Sequence, residues 1–111
     1  MTCPTFSGIA ETLSEFFEIE ENQGDANFTE ERLIEKLRDK VAVFKASNAR
    51  FSKEVIERNP QLKIISAMTV GYDNIDIAAC TGQGVVVTNT PDVINQTTAD
   101  FAWALLLATA R

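Results

Sequence analysis

Three short apolar runs, Val41–Phe44, Leu62–Ala67 and Val85–Val87, punctuate the chain, and each leads through a polar turn into helix-forming sequence. Runs of strand length, β-branched and bounded by turn residues, read as buried strands. Strands that alternate with helices assemble as a parallel sheet, because parallel neighbours need a crossover long enough to be a helix. The fold class that follows is α/β, a parallel sheet of about four or five strands with helices on both faces and right-handed crossovers. The three apolar runs belong in its interior.

The intervening segments carry helix signals. Ile9, Leu13, Phe16 and Phe17 recur at near-helical spacing after Ser7, a plausible N-cap. Phe17-Glu18-Ile19-Glu20 then alternates like a short edge strand. Thr29 caps a helix whose apolar stripe is Leu33, Ile34 and Leu37, with Lys36, Arg38 and Lys40 at the end where cations suit the helix dipole. Ser52 opens a short helix closed before Pro60, and Asp76 opens another that Gly82-Gln83-Gly84 breaks. The last helix, Asn95–Arg111, is apolar nearly all round, as in a helix buried in a larger body or between domains. The chain begins shortly before its first helix, at Met1-Thr2-Cys3-Pro4, so a first strand is expected to be short or absent.

Composition narrows the function. The 111 residues suit one domain, and a 45% hydrophobic content supports a packed core. A net charge of −6, from 16 acidic and 10 basic residues, gives neither the footprint of a nucleic-acid binder nor a polybasic membrane patch. The longest apolar run, Phe101–Ala108, falls short of the roughly 20 residues a membrane span requires. With no His, and with Cys3 and Cys80 far apart, no zinc or copper site is expected. Two free thiols and no leader pattern point to a cytoplasmic protein.

The segment Ile64–Asp76 carries the most chemistry. An apolar run ends, the small turn Thr69-Val70-Gly71 follows, and Asp76 stands where a helix begins. Open parallel sheets bind ligands at the carboxyl ends of their strands. Turn amides there are unpaired donors, and glycine permits close approach. Val70 and Gly71 are therefore candidates for holding a small anion such as a carboxylate; the plainer reading is a strand–helix turn whose amides meet water. Asn74 and Asp76 read most simply as turn and N-cap residues, with bracing of the anion loop as the alternative for Asn74. Lys45 follows a strand on the same edge and reads as a solvated lysine, with an anion partner as the alternative. Gly82-x-Gly84 precedes a strand, which is the wrong context for a dinucleotide fingerprint. Thr97-Thr98-Ala99-Asp100 reads as a capping pattern, with ligand contact by Thr98 as the lesser reading.

Taken together, Leu62-Lys63-Ile64-Ile65-Ser66, Val70-Gly71-Tyr72-Asp73-Asn74-Ile75-Asp76, Gly84-Val85-Val86-Val87-Thr88-Asn89-Thr90-Pro91 and the segment Thr98–Arg111 resemble the D-isomer-specific 2-hydroxyacid dehydrogenases. The Val-Gly-Tyr-Asp-Asn-Ile-Asp form is most similar to the glyoxylate/hydroxypyruvate reductase branch. The resemblance implies a flavodoxin-like substrate domain over residues 1–94. It also implies a crossover helix over 95–111 leading to a Rossmann domain for NAD(P)H. It places the substrate carboxylate on the amides of Val70 and Gly71, with Asn74 and Lys45 as weaker substrate contacts and Thr98 as a weak cofactor contact. It implies a homodimeric parent enzyme acting on small 2-oxo and 2-hydroxy acids. Asp100 stands where many members carry Glu.

The catalytic Arg, Glu and His of that family, and its glycine-rich phosphate loop, have no counterparts among these residues. No catalytic residue and no cofactor are therefore expected for this chain alone. It reads as the substrate portion of such an oxidoreductase. The alternatives are a free-standing flavodoxin-like binding module and an oligomerisation module that pairs through its apolar helix. That helix favours the first, since a free-standing module should not retain an all-round apolar terminal helix.

Overall fold

The computed structural model describes residues 8–22 and 28–110. In chain order the elements are α1 (Ile9–Ser14), α2 (Glu30–Leu37), β1 (Ala42–Lys45), α3 (Lys53–Glu57), β2 (Ile64–Ala67), α4 (Ile77–Gln83), β3 (Val86–Thr88) and α5 (Asn95–Thr109). The three strands form one parallel sheet in the order β1-β2-β3. Among the described residues the sheet has three strands, with β2 between β1 and β3. The α/β class, the parallel pairing and the long terminal helix are as the sequence implies.

Register sets which side chains enter the core. Val43 pairs with Ile65 and Lys45 with Ala67, and Ile65 pairs in turn with Val87. Alternation along each strand then puts Val43, Lys45, Ile65 and Ala67 on one buried face. Leu33 and Leu37 of α2, Val55 and Ile56 of α3 and Cys80 of α4 close over it, with Phe51, Leu62, Ile75 and Val85. Helices α2, α3 and α4 pack side by side in this layer. The opposite row, Ala42, Phe44, Ile64, Ser66, Val86 and Thr88, is half-buried to exposed.

Local chemistry explains the helix boundaries. The Thr29 side chain accepts from the Arg32 N–H at 3.4 Å, and Asp76 Oδ1 accepts from the Ala79 N–H at 2.9 Å, so both expected caps form. At Ser52 the backbone has the N-cap conformation, but the hydroxyl donates to Glu30 Oε2 at 2.6 Å and ties α3 to α2. Helix α4 ends at Gly84, whose φ of 72° suits glycine, and the Val85 N–H closes the turn on the Cys80 carbonyl at 2.8 Å. Ser7, Cys3 and the Met1–Pro4 lead, where a first strand is expected to be short or absent, lie outside the described residues.

Two expectations are corrected. Residues 17–20 form no strand. Glu20 instead bonds Lys36 Nζ at 2.6 Å and Lys40 Nζ at 3.0 Å, pinning the segment to the helix side. The Thr97–Asp100 pattern does not cap α5, which starts at Asn95 and runs through it, and no side chain caps its first turn. The turn ahead of α5 is set by Asp92, at a φ of 65°, whose carboxylate accepts from the Asn95 side-chain amide at 2.7 Å.

Candidate functional site

The turn after the central strand has an unusual division of donors and acceptors. Its three successive carbonyls are all engaged. The Thr69 carbonyl accepts from the Thr90 N–H at 3.1 Å, the Val70 carbonyl from Asn89 Nδ2 at 2.8 Å, and the Gly71 carbonyl from Thr69 Oγ1 at 2.8 Å. The amides of Val70 and Gly71, in contrast, donate to nothing among the described residues. A turn with occupied carbonyls and free amides presents net positive partial charge at the carboxyl end of a buried strand.

The turn is held from both ends. Before it, the Met68 N–H donates to the Lys45 carbonyl at 2.8 Å, continuing the ladder between β1 and β2. After it, the fully buried Phe51 donates its N–H to the Asn74 carbonyl at 2.7 Å, and its own carbonyl accepts from the Asp76 N–H at 2.8 Å. Residues 70–74 thus span two fixed anchors. Asn74 contributes through its backbone, and the bracing side chain is that of Asn89 on the far side of the loop. Sequence reading missed Asn89 because its partner lies in another strand–helix connection.

Lys45 corrects the expectation of a solvated lysine, being 1% exposed. Its position two residues beyond Val43 puts it on the core face, and its register partner Ala67 leaves room for the butyl stem. No hydrogen bond or ion pair engages Nζ among the described residues, and burial lowers its pKa from the ordinary lysine value. Lys45 lines an open cavity of about 440 Å³ with Asn48, Thr69, Gly71, Asp73 and Asn74. The structure therefore gathers Lys45, Gly71 and Asn74 at one place, with Val70 in the same turn. Thr98 is not brought there: it lies exposed on α5, which packs against no other described element. Cys80 is buried, and burial, reinforced by Asp76, raises its thiol pKa, the profile of an inert core cysteine.

This arrangement sits in a chain whose residues 5–110 match the sequence profile of the D-isomer specific 2-hydroxyacid dehydrogenase catalytic domain. The chain belongs to that family. Among similar proteins is the glyoxylate reductase of Thermococcus onnurineus (strain NA1), 48% identical over 99 residues, which cover 89% of this chain and 30% of that enzyme. A solved structure from Polaromonas sp. JS6 66, provisionally assigned as an NAD-binding D-isomer specific 2-hydroxyacid dehydrogenase, superposes with a TM-score of 0.83 at 31% identity. That match covers 96% of this chain and 34% of the other. The D-lactate dehydrogenase of Aquifex aeolicus, solved with NAD and lactic acid, gives a TM-score of 0.61 at 26% identity over 67% of this chain and 22% of its own. The chain thus spans about a third or less of the length of the family members it matches. Within it, the free-amide turn and the Lys45 cavity lie at the carboxyl edge of the sheet. Among the described residues no helix is long and apolar enough to cross a membrane.

Proposed function

We propose that this chain supplies the substrate grip of an NAD(P)H-dependent oxidoreductase that reduces small 2-oxo acids, such as glyoxylate and hydroxypyruvate, to D-2-hydroxy acids. The observation that carries the reading is the turn at residues 69–71, with its carbonyls bonded and the Val70 and Gly71 amides free. A carboxylate placed there accepts two charge-assisted hydrogen bonds, each contributing about 1.5–3 kcal/mol. Anchors at Phe51 and Asn89 pre-organise the donors, so little ordering opposes binding.

The described residues do not fit a dinucleotide. Gly82 lies inside α4 and Gly84 closes it, so the pair ends a helix, whereas a phosphate-binding glycine turn opens one. No step of the reaction is assigned to this chain through the cofactor. Residues 1–94 act as the substrate domain and residues 95–111 as the helix leading to the cofactor domain of a homodimeric, cytoplasmic enzyme, with Thr98 near the cofactor side. The relatives' names, glyoxylate reductase and D-lactate dehydrogenase with NAD, support the substrate class and the cofactor.

Two substitutions test the grip. A Cβ at Gly71 meets only Asp73 Oδ2, at 3.7 Å, which is ordinary contact. Gly71→Ala should therefore keep the fold and most of the glyoxylate affinity. Gly71→Val should crowd the turn and weaken glyoxylate binding about tenfold or more, since one lost charge-assisted bond amounts to that factor. Equal affinity in Gly71→Val, at an unchanged Tm, refutes the proposal.

A further inference from the structure

We infer, resting on the reading of Val70 and Gly71 as the carboxylate grip, that Lys45 makes this site selective for 2-oxo acids carrying a second anionic group at the far end of a short chain. The cavity has two banks. Thr69, Gly71, Asp73 and Asn74 come from the connection after β2, and Lys45 and Asn48 from the end of β1 and beyond. Adjacent strands lie about 4.8 Å apart, so the amine stands to one side of the turn amides. A two-carbon acid held at Gly71 stays on one bank. A longer acid reaches the other, and a cavity of about 440 Å³ has room for it.

The charge pattern gives the far end its sign. Lysine is almost never fully buried without a partner. Here the side chain is 1% exposed, and nothing accepts from its Nζ among the described residues. No side-chain nitrogen or oxygen sealed from solvent lacks a partner among those residues, so the unbonded Nζ opens on the cavity. An ammonium on a desolvated stem gains most from an anion delivered to it. Asp73 lines the bank of the turn, so the cation of this cavity stands on the other side, at Lys45. The chain's net charge of −6 works against dianions in general. A preference for one over its monoanionic isostere therefore reports a specific cation.

The experiment titrates the 15N-labelled chain with glyoxylate, 2-oxopentanoate and 2-oxoglutarate, and follows the Gly71 amide in wild type, Lys45→Met and Lys45→Arg. The last two acids have the same length and differ in the terminal carboxylate. In wild type, 2-oxoglutarate should bind about tenfold more tightly than 2-oxopentanoate, the factor one partly buried ion pair supplies. Lys45→Met should erase that difference, and Lys45→Arg should retain part of it. No preference in wild type overturns the inference even if a variant fails to fold. A preference that survives in folded Lys45→Met, or an equal loss for all three acids, also overturns it. In each of those cases a Gly71 response to glyoxylate leaves the carboxylate grip standing. A silent Gly71 amide with every acid removes both.

Discussion

Asn89 Nδ2 donates to the Val70 carbonyl at 2.8 Å, joining the end of β3 to the turn after β2. The bond engages the Val70 carbonyl, while the Val70 N–H has no acceptor among the described residues. It also ties two connections that are separate in sequence, so the free amides belong to a braced loop.

That bond gives the first expectation. Asn89→Ala should lower stability by about 1 kcal/mol, the ordinary contribution of such a bond. It should weaken glyoxylate binding severalfold by letting the 69–71 turn relax. Chemical denaturation beside an NMR titration separates the two effects. An affinity that holds while stability falls assigns Asn89 to the fold alone.

Lys45 predicts a trade of stability against binding. Replacing a desolvated amine that has no partner among the described residues with an apolar side chain of similar length removes a cost, so Lys45→Met should stabilise the free chain by about 1 kcal/mol. For a domain of this size that raises Tm by about 4–8 °C. A lower Tm contradicts the view that burying Lys45 costs stability.

The Glu20 cluster predicts an acid-side, salt-sensitive term. Hydrogen bonds from Lys36 and Lys40, with their charges, lower the Glu20 pKa from 4.5 to about 2. Because the folded-state pKa is depressed, this stabilisation is whole above about pH 4.5 and is lost as pH falls toward about 2. All three side chains are substantially exposed, so the contribution is about 0.5 kcal/mol and shrinks with added salt. Glu20→Gln should flatten the stability–pH curve in that window. An unchanged curve excludes the cluster from the acid response.

Helix α5 predicts self-association. Phe101, Trp103, Leu105, Leu106 and Leu107 are all more than half exposed. An apolar surface of this kind exceeds what monomers usually leave open. Light scattering should show association that rises with concentration and falls in a Trp103→Gln, Leu106→Gln double variant. A clean monomer at high concentration contradicts this.

Much of the fold was legible because strand and helix signals agree with tertiary burial. The apolar runs became β1, β2 and β3 within a residue or two, and Thr29 and Asp76 cap as their chemistry dictates. What was hidden depends on neighbours far along the chain. Alternation at 17–20 looked like a strand, yet Glu20 found two lysines around α2. A base just after an apolar run looked solvated, whereas β1 extends to Lys45, and its alternation with Val43 turns Lys45 into the core beside Ala67. Of the candidate site, the position of Val70 and Gly71 in the turn after a strand was readable. Asn89 was not, because its role requires β3 to lie beside β2.

The most direct measurement of the central claim is an amide chemical-shift map of the wild-type chain titrated with glyoxylate. The free-amide turn predicts saturable shifts that are largest at Val70 and Gly71, accompanied by the Asn89 side-chain amide, with little change on α5. Shifts concentrated elsewhere, or none at Val70 and Gly71 up to high millimolar glyoxylate, contradict the assignment of this turn as the carboxylate grip.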